Sequence, residues 1–161
     1  SGYRDCVELP SQIMENWATE KEFLDLWAVN YQTGEPIPAE IVERIIAAQN
    51  YLAAYLNVRQ LSFGLTDMAW HTITEPFEGD VEQFEVASMA PSQVQPVVPG
   101  TAMAPAFGHI FSGGYAAGYY GYKWAEVLEA DAFSLFKEKG IFNREVSGSF
   151  RENILSKGGW D

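Results

Sequence analysis

Three phenols stand at Tyr115, Tyr119 and Tyr122, spaced i, i+4 and i+7, a short distance beyond His109. On a helix that spacing would bring all three out of one face. A row of phenol donors lining a cleft can hydrogen-bond to the negative charge that develops on a carbonyl oxygen under attack. Glycines interrupt the same stretch at Gly113, Gly114, Gly118 and Gly121. Each costs about 1 kcal/mol in a helix relative to alanine, so the segment predicts a loop or a close backbone approach. Spacing alone favours a packed helix with half-buried tyrosines, because aromatic stripes at helical spacing usually serve a core. Gly114 and Gly118 also match a membrane-helix dimerisation spacing, but the flanks are too polar for that reading.

A second candidate lies near the start. Ser11, Gln12 and Glu15 share a helix face with Glu8. A carboxylate there can ligate a metal while its neighbours orient it. The same residue also suits the positive end of a helix dipole with no ligand at all. His71 and His109 stand far apart and neither belongs to a His-Glu-x-x-His, so no local histidine pair holds zinc. Each reads by itself as a satisfied or surface histidine. The chain has no phosphate-binding Gly-x-x-x-x-Gly-Lys-Ser/Thr, no Gly-x-Ser-x-Gly elbow, and one cysteine, Cys6.

These side chains are carried by 161 residues, enough for one domain. The net charge of −12 argues against nucleic acid and against a polybasic membrane surface as partners. The lone cysteine rules out an internal disulfide framework. Ser1-Gly2-Tyr3-Arg4-Asp5 has no signal-peptide pattern, and the stretch from Ala102 to Tyr122 is too broken by His109 and glycines to span a bilayer. The composition predicts a soluble, compact chain in a reducing compartment.

Hydrophobic periodicity predicts an all-α fold. A first helix is expected over residues 5 to 29, with Pro10 tolerated in its first turn. Gln32 to Pro38 reads as a turn. The clearest apolar stripe, through Ile41, Ile45, Ile46, Leu52, Tyr55, Leu56, Leu61, Leu65 and Met68, predicts a helix from Ala39 to about Ile73. It would be ~50 Å long, with Gly64 the place where it kinks or divides. A short helix from Val81 to Ala90 and an irregular connector from Pro91 to Gly100 follow. An amphipathic helix through Trp124 and Phe136 should end at Gly140, and a last helix from Asn143 to Lys157 should close at Gly158 and Gly159.

The words of the sequence then become specific. Asp5-Cys6-Val7-Glu8-Leu9-Pro10-Ser11-Gln12, with Glu15-Asn16-Trp17 behind it, resembles a signature of the thimet oligopeptidase, oligopeptidase A and peptidyl-dipeptidase family of zinc metallopeptidases. His109 to Tyr122, running on through Trp124-Ala125-Glu126-Val127-Leu128, resembles a second. Gly140-Ile141-Phe142-Asn143 and Ile154-Leu155-Ser156-Lys157-Gly158-Gly159 extend the likeness, which covers essentially the whole chain.

The resemblance implies hydrolysis of short oligopeptides, either at internal bonds or by release of C-terminal dipeptides. It implies Glu8 as the third zinc ligand. It further implies that His109, Tyr115, Tyr119 and Tyr122 line the cleft, with Tyr122 and Tyr115 the first choices for oxyanion contact. Gly113 and Gly114 fall in a glycine-rich loop that adjusts around substrate. The family's His-Glu-x-x-His is not in this sequence, so residues 1–161 are expected to be one helical C-terminal piece of the catalytic domain, cut at both ends. Such a piece is expected to hold no zinc tightly, to be inactive alone, and to self-associate through its exposed cleft face. The parent is expected in the cytoplasm, with the periplasm also open. The alternative reading is a non-catalytic helical interaction module that keeps the peptidase shape.

Overall fold

The computed structural model describes residues 3–158. Among them the secondary structure is helical, with one isolated antiparallel bridge between Val29 and Pro36 and no strand, so the chain is all-α as expected. In chain order the α-helices are α1 (Leu9–Glu15), α2 (Lys21–Leu24), α3 (Ala39–Gln49), α4 (Ala53–His71), α5 (Val81–Met89), α6 (Gly108–Phe111), α7 (Gly121–Lys139) and α8 (Arg144–Phe150). Contacts divide the chain into two compact units. One holds the residues up to Leu52 and those from Trp124 onward; the other is Ala53–Lys123.

In the first unit the predicted helix over 5–29 is broken into short pieces. A 3₁₀ turn at Arg4–Cys6 precedes α1, and another at Asn16–Thr19 separates α1 from α2. Pro10 explains the first break. Its ring and missing N–H forbid a helix running through it, so α1 begins at Leu9 with the proline in its opening turn. Glu20, extended at φ −82° and ψ 121°, makes the second break. The turn at Gln32–Pro38 forms as expected, with Gly34 at φ +72°.

Ile13, Phe133, Phe136 and Ile141 form the core of this unit, with Trp17, Phe23, Val146 and Phe150 packed around them. Trp17 meets Phe133 and Phe136 edge-on at 4.8 and 5.0 Å, and its indole N–H donates to the Ile141 carbonyl at 3.2 Å. Gly140 at φ +103° ends α7 where predicted. The Asn143 side chain then caps α8 by accepting from the Glu145 and Val146 amides. The last helix is shorter than predicted: α8 ends at Phe150, a π-helical turn spans Arg151–Leu155, and Gly159 lies outside the described residues.

The long helix expected from Ala39 to Ile73 is two. The break falls at Leu52, which adopts a left-handed φ of +55°, and not at Gly64, where α4 continues uninterrupted. The Asn50 and Tyr51 amides bond back to Ala47 and Ala48, which tightens and ends α3.

In the second unit α4 packs on α5, whose Asp80 cap accepts from the Gln83 amide at 3.0 Å. Trp70, Phe77 and Phe84 form a mutual aromatic cluster with centroids 4.3–5.0 Å apart. The connector after α5 is irregular, as expected, but two carboxylates tie it down. Glu82 accepts from the Gly100 amide, and buried Glu85 accepts from the amides of Met103 and Ala104 at 2.6–2.9 Å.

The apolar stripe is largely exposed. Buried residues on α4 are Ser62, Thr66 and Asp67, whereas Leu61, Leu65 and Met68 are 51%, 39% and 42% exposed. On α3, Ile41, Ile45 and Ile46 are exposed and Val42 is buried.

Candidate active site

The buried side of α4 builds the site. Gln60, Phe63, Gly64, Asp67 and His71 recur at helical spacing and so share one face. Against that face runs the chain from Tyr115 to Tyr120, which is a series of turns and not the helix that the i, i+4, i+7 spacing invites. A Cβ on Gly64 would lie 3.9 Å from the backbone of Tyr120, so the turn passes directly beside the helix.

Asp67 is fully buried, at 0% exposure. Its Oδ1 accepts from the Ala117 amide at 2.9 Å and its Oδ2 from the Tyr119 amide at 2.8 Å. His71 Nδ1 stands 2.8 Å from Oδ1 and 2.9 Å from the Asp67 carbonyl oxygen. Two acceptors face that nitrogen, so it carries the proton. Ala117 itself sits at φ +51°, a left-handed conformation that costs a residue with a Cβ about 1–2 kcal/mol.

Held this way, the turn gathers the aromatic residues by a route other than helical spacing. His109 lies 5.8, 6.2 and 6.5 Å from the rings of Tyr115, Tyr119 and Tyr122. Tyr115 and Tyr122 stack at 5.0 Å, and Tyr119 tilts against Tyr122 at 5.1 Å. All three phenols are half-buried and His109 is exposed. The Tyr119 hydroxyl donates to Gln60 Oε1 at 3.2 Å, and its ring packs edge-on to Phe63 and Phe107. Burial, then the neighbouring Tyr122, pushes the Tyr119 phenol above its ordinary 10.0, with Arg59 and Gln60 acting the other way. The cluster sets three phenol hydroxyls beside an imidazole, an arrangement suited to stabilising an oxyanion.

The paired glycines differ. A Cβ on Gly113 would fall 2.9 Å from the His109 carbonyl oxygen and 3.2 Å from His109 Cα, whereas a Cβ on Gly114 would meet nothing within 4 Å. Gly113 serves close approach to His109; Gly114 borders open space.

Glu8 belongs to the first unit, as the residue immediately before α1. Its carbonyl accepts from the Gln12 amide, and Ser11 Oγ donates to its Oε2 at 2.6 Å. A carboxylate oriented by a hydroxyl suits a role as one oxygen ligand of a metal. Among the described residues no group of three His, Cys, Asp or Glu is arranged to hold a metal ion. No helix among them is long and apolar enough to cross a membrane.

The sequence reading named every ring of the cluster and missed what holds them. Asp67, Gln60 and Glu85 are not among the residues singled out from the sequence, where His71 reads only as a satisfied or surface histidine. Its partner was four residues away, and a polar stripe at helical spacing through Gln60, Asp67 and His71 was the available signal.

The family model for peptidase family M3 matches residues 2–161, and the chain belongs to that family. It is 51% identical over 158 residues to oligopeptidase A of Escherichia coli, covering 96% of this chain and 23% of that protein. Probable cytosolic oligopeptidase A of Arabidopsis thaliana is 42% identical over 160 residues, with the same shares covered. Dipeptidyl carboxypeptidase of Escherichia coli is 40% identical over 157 residues, again 96% of this chain and 23% of that protein. The chain thus spans under a quarter of the length of these relatives.

Proposed function

We propose that this chain is a segment of a zinc-dependent oligopeptidase and supplies part of its catalytic apparatus. The observation that carries the reading is the gathering of Tyr115, Tyr119 and Tyr122 with their ring centroids each within 6.5 Å of His109, and with Tyr122 packed on both of the others. The phenols of Tyr122 and Tyr115 donate hydrogen bonds to the carbonyl oxygen of the scissile peptide as negative charge grows on it. Tyr119, tethered to Gln60, and His109 contact the peptide backbone. Gly113 and Gly114 let the loop shape itself to the substrate. Glu8, steadied by Ser11, contributes one carboxylate ligand, and the remaining zinc ligands come from the rest of the protein. Zinc, when bound, supplies Lewis-acid polarisation of the carbonyl and a more acidic water. The cytoplasm is the compartment this reading favours, in keeping with the probable cytosolic oligopeptidase A of Arabidopsis thaliana.

The decisive experiment is made in the full-length peptidase. Tyr122→Phe should lower kcat by roughly 10²–10³-fold with zinc content unchanged. Glu8→Gln should lower zinc content and activity together. Wild-type kcat in the first and wild-type zinc in the second would remove Tyr122 and Glu8 from the catalytic apparatus, whereas a full-length protein with neither bound zinc nor peptide hydrolysis would leave the non-catalytic module as the better account. The chain on its own has one candidate ligand where a zinc site needs three protein groups. It should show neither stoichiometric zinc nor peptide hydrolysis.

A further inference from the structure

We propose that Asp67, with His71 behind it, is a positioning residue for the phenol cluster and sets catalytic rate through the backbone of Ala117 and Tyr119. The inference rests on the peptidase reading of those phenols and concerns residues that reading does not use.

Both oxygens of Asp67 are spent on the tyrosine turn and on His71, and none of its surface reaches water. A buried carboxylate is costly unless its hydrogen-bonding capacity is filled. Filling it here requires the Ala117 and Tyr119 amides to point into α4. That requirement explains why Ala117 holds a left-handed φ that alanine disfavours. The amide of Tyr119 is thereby fixed at one end, while its hydroxyl is fixed at the other by Gln60. Tyr122 and Tyr115 pack on one another, and Tyr119 packs on Tyr122. A shift of the turn would therefore move all three phenols together. His71 keeps Asp67 facing the turn, as a neighbouring donor orients a functional carboxylate elsewhere.

Thr66 provides an internal comparison. It is the preceding residue on the same helix and equally buried, but its hydroxyl pairs with Ser88, 3.0 Å away, and not with the turn. If Asp67 mattered only for holding the helix in place, losing Thr66 would have a similar effect.

The test measures steady-state kinetics in the zinc-loaded full-length peptidase, with melting temperature and zinc content followed in parallel. Asp67→Asn should lower kcat roughly 10–100-fold, the range expected when reacting groups are displaced by about an ångström, while KM changes by less than about threefold. Thr66→Val should leave kcat near wild type even where it lowers the melting temperature. Adding Ala117→Gly to Asp67→Asn should recover part of the lost kcat, because glycine takes the left-handed conformation without help. A folded Asp67→Asn enzyme with wild-type kcat overturns the proposal. So does a loss that Thr66→Val reproduces and Ala117→Gly fails to relieve. Should Asp67→Asn not fold, His71→Ala decides: kcat reduced severalfold at unchanged zinc content supports positioning, and unchanged kcat refutes it. Tyr122→Phe measured alongside separates the two levels. If it loses kcat while the Asp67 and His71 variants do not, positioning alone fails. If it is itself inert, the peptidase role of the phenols fails and this inference falls with it.

Discussion

Tyr119 is the phenol whose surroundings are best defined, and its behaviour follows from them. Burial is the main reason it holds its proton more tightly folded than unfolded, with Tyr122 adding to the effect. The stabilising contribution of this difference is fully present below pH 10 and is lost as pH rises through the folded value. An ultraviolet titration of the chain should show a late-ionising tyrosine that Tyr119→Phe removes, and the mutant should lose less stability between neutral and strongly alkaline pH. A titration unchanged by the substitution would contradict the burial assigned to this ring. At neutral pH the phenol keeps its proton and donates it to Gln60 Oε1, which ties the ring to α4. Glu8 and the rings were legible as residue types, and their roles came from the resemblance. Asp67 was not legible, because an aspartate inside an amphipathic pattern reads as a solvated position until the helix is seen to bury that side.

Among the elements, the double glycine separates two uses of a missing side chain. Gly113→Ala drives a methyl onto the His109 backbone, which cannot swing aside as a side chain would. It should cost about 1–3 kcal/mol, the usual range for overpacking, and lower the melting temperature by several degrees. Gly114→Ala meets no such contact and should melt near wild type. A loss of activity in Gly114→Ala at unchanged stability would then report on the space that substrate occupies. Equal melting temperatures for the two variants would show that the loop relaxes more readily than its backbone contacts imply. Element types were readable from periodicity, and the ends at Gly140 and Asn143 from cap chemistry. The breaks were less so. Pro10 made one predictable in kind, whereas the left-handed Leu52 has no signature, since leucine is a good helix former and its conformation here is fixed by context.

At the scale of the molecule, the apolar stripe marked the helices but not what covers them. Periodicity reports that one face of a helix prefers to leave water; it does not say whether the cover comes from the same chain. Leu61, Leu65 and Met68 on α4 and Ile41, Ile45 and Ile46 on α3 remain exposed within their units. Exposed apolar surface of this kind tends to find a partner. The isolated chain should therefore self-associate, with light scattering showing a mass above 18.0 kDa that rises with concentration. Leu61→Ser with Leu65→Ser should reduce that association while leaving the helical signal intact. A monodisperse monomer at high concentration would count against it.

The second unit thus contains a helix turned inside out. Asp67 looks inward to the tyrosine turn and Thr66 inward to Ser88, while Leu61, Leu65 and Met68 look outward. Whatever rests on the outward side of α4 bears on the same rigid rod that carries Asp67. Contact on one flank steadies aromatic groups on the other, and the precision of the rings becomes a property of how well that helix is braced.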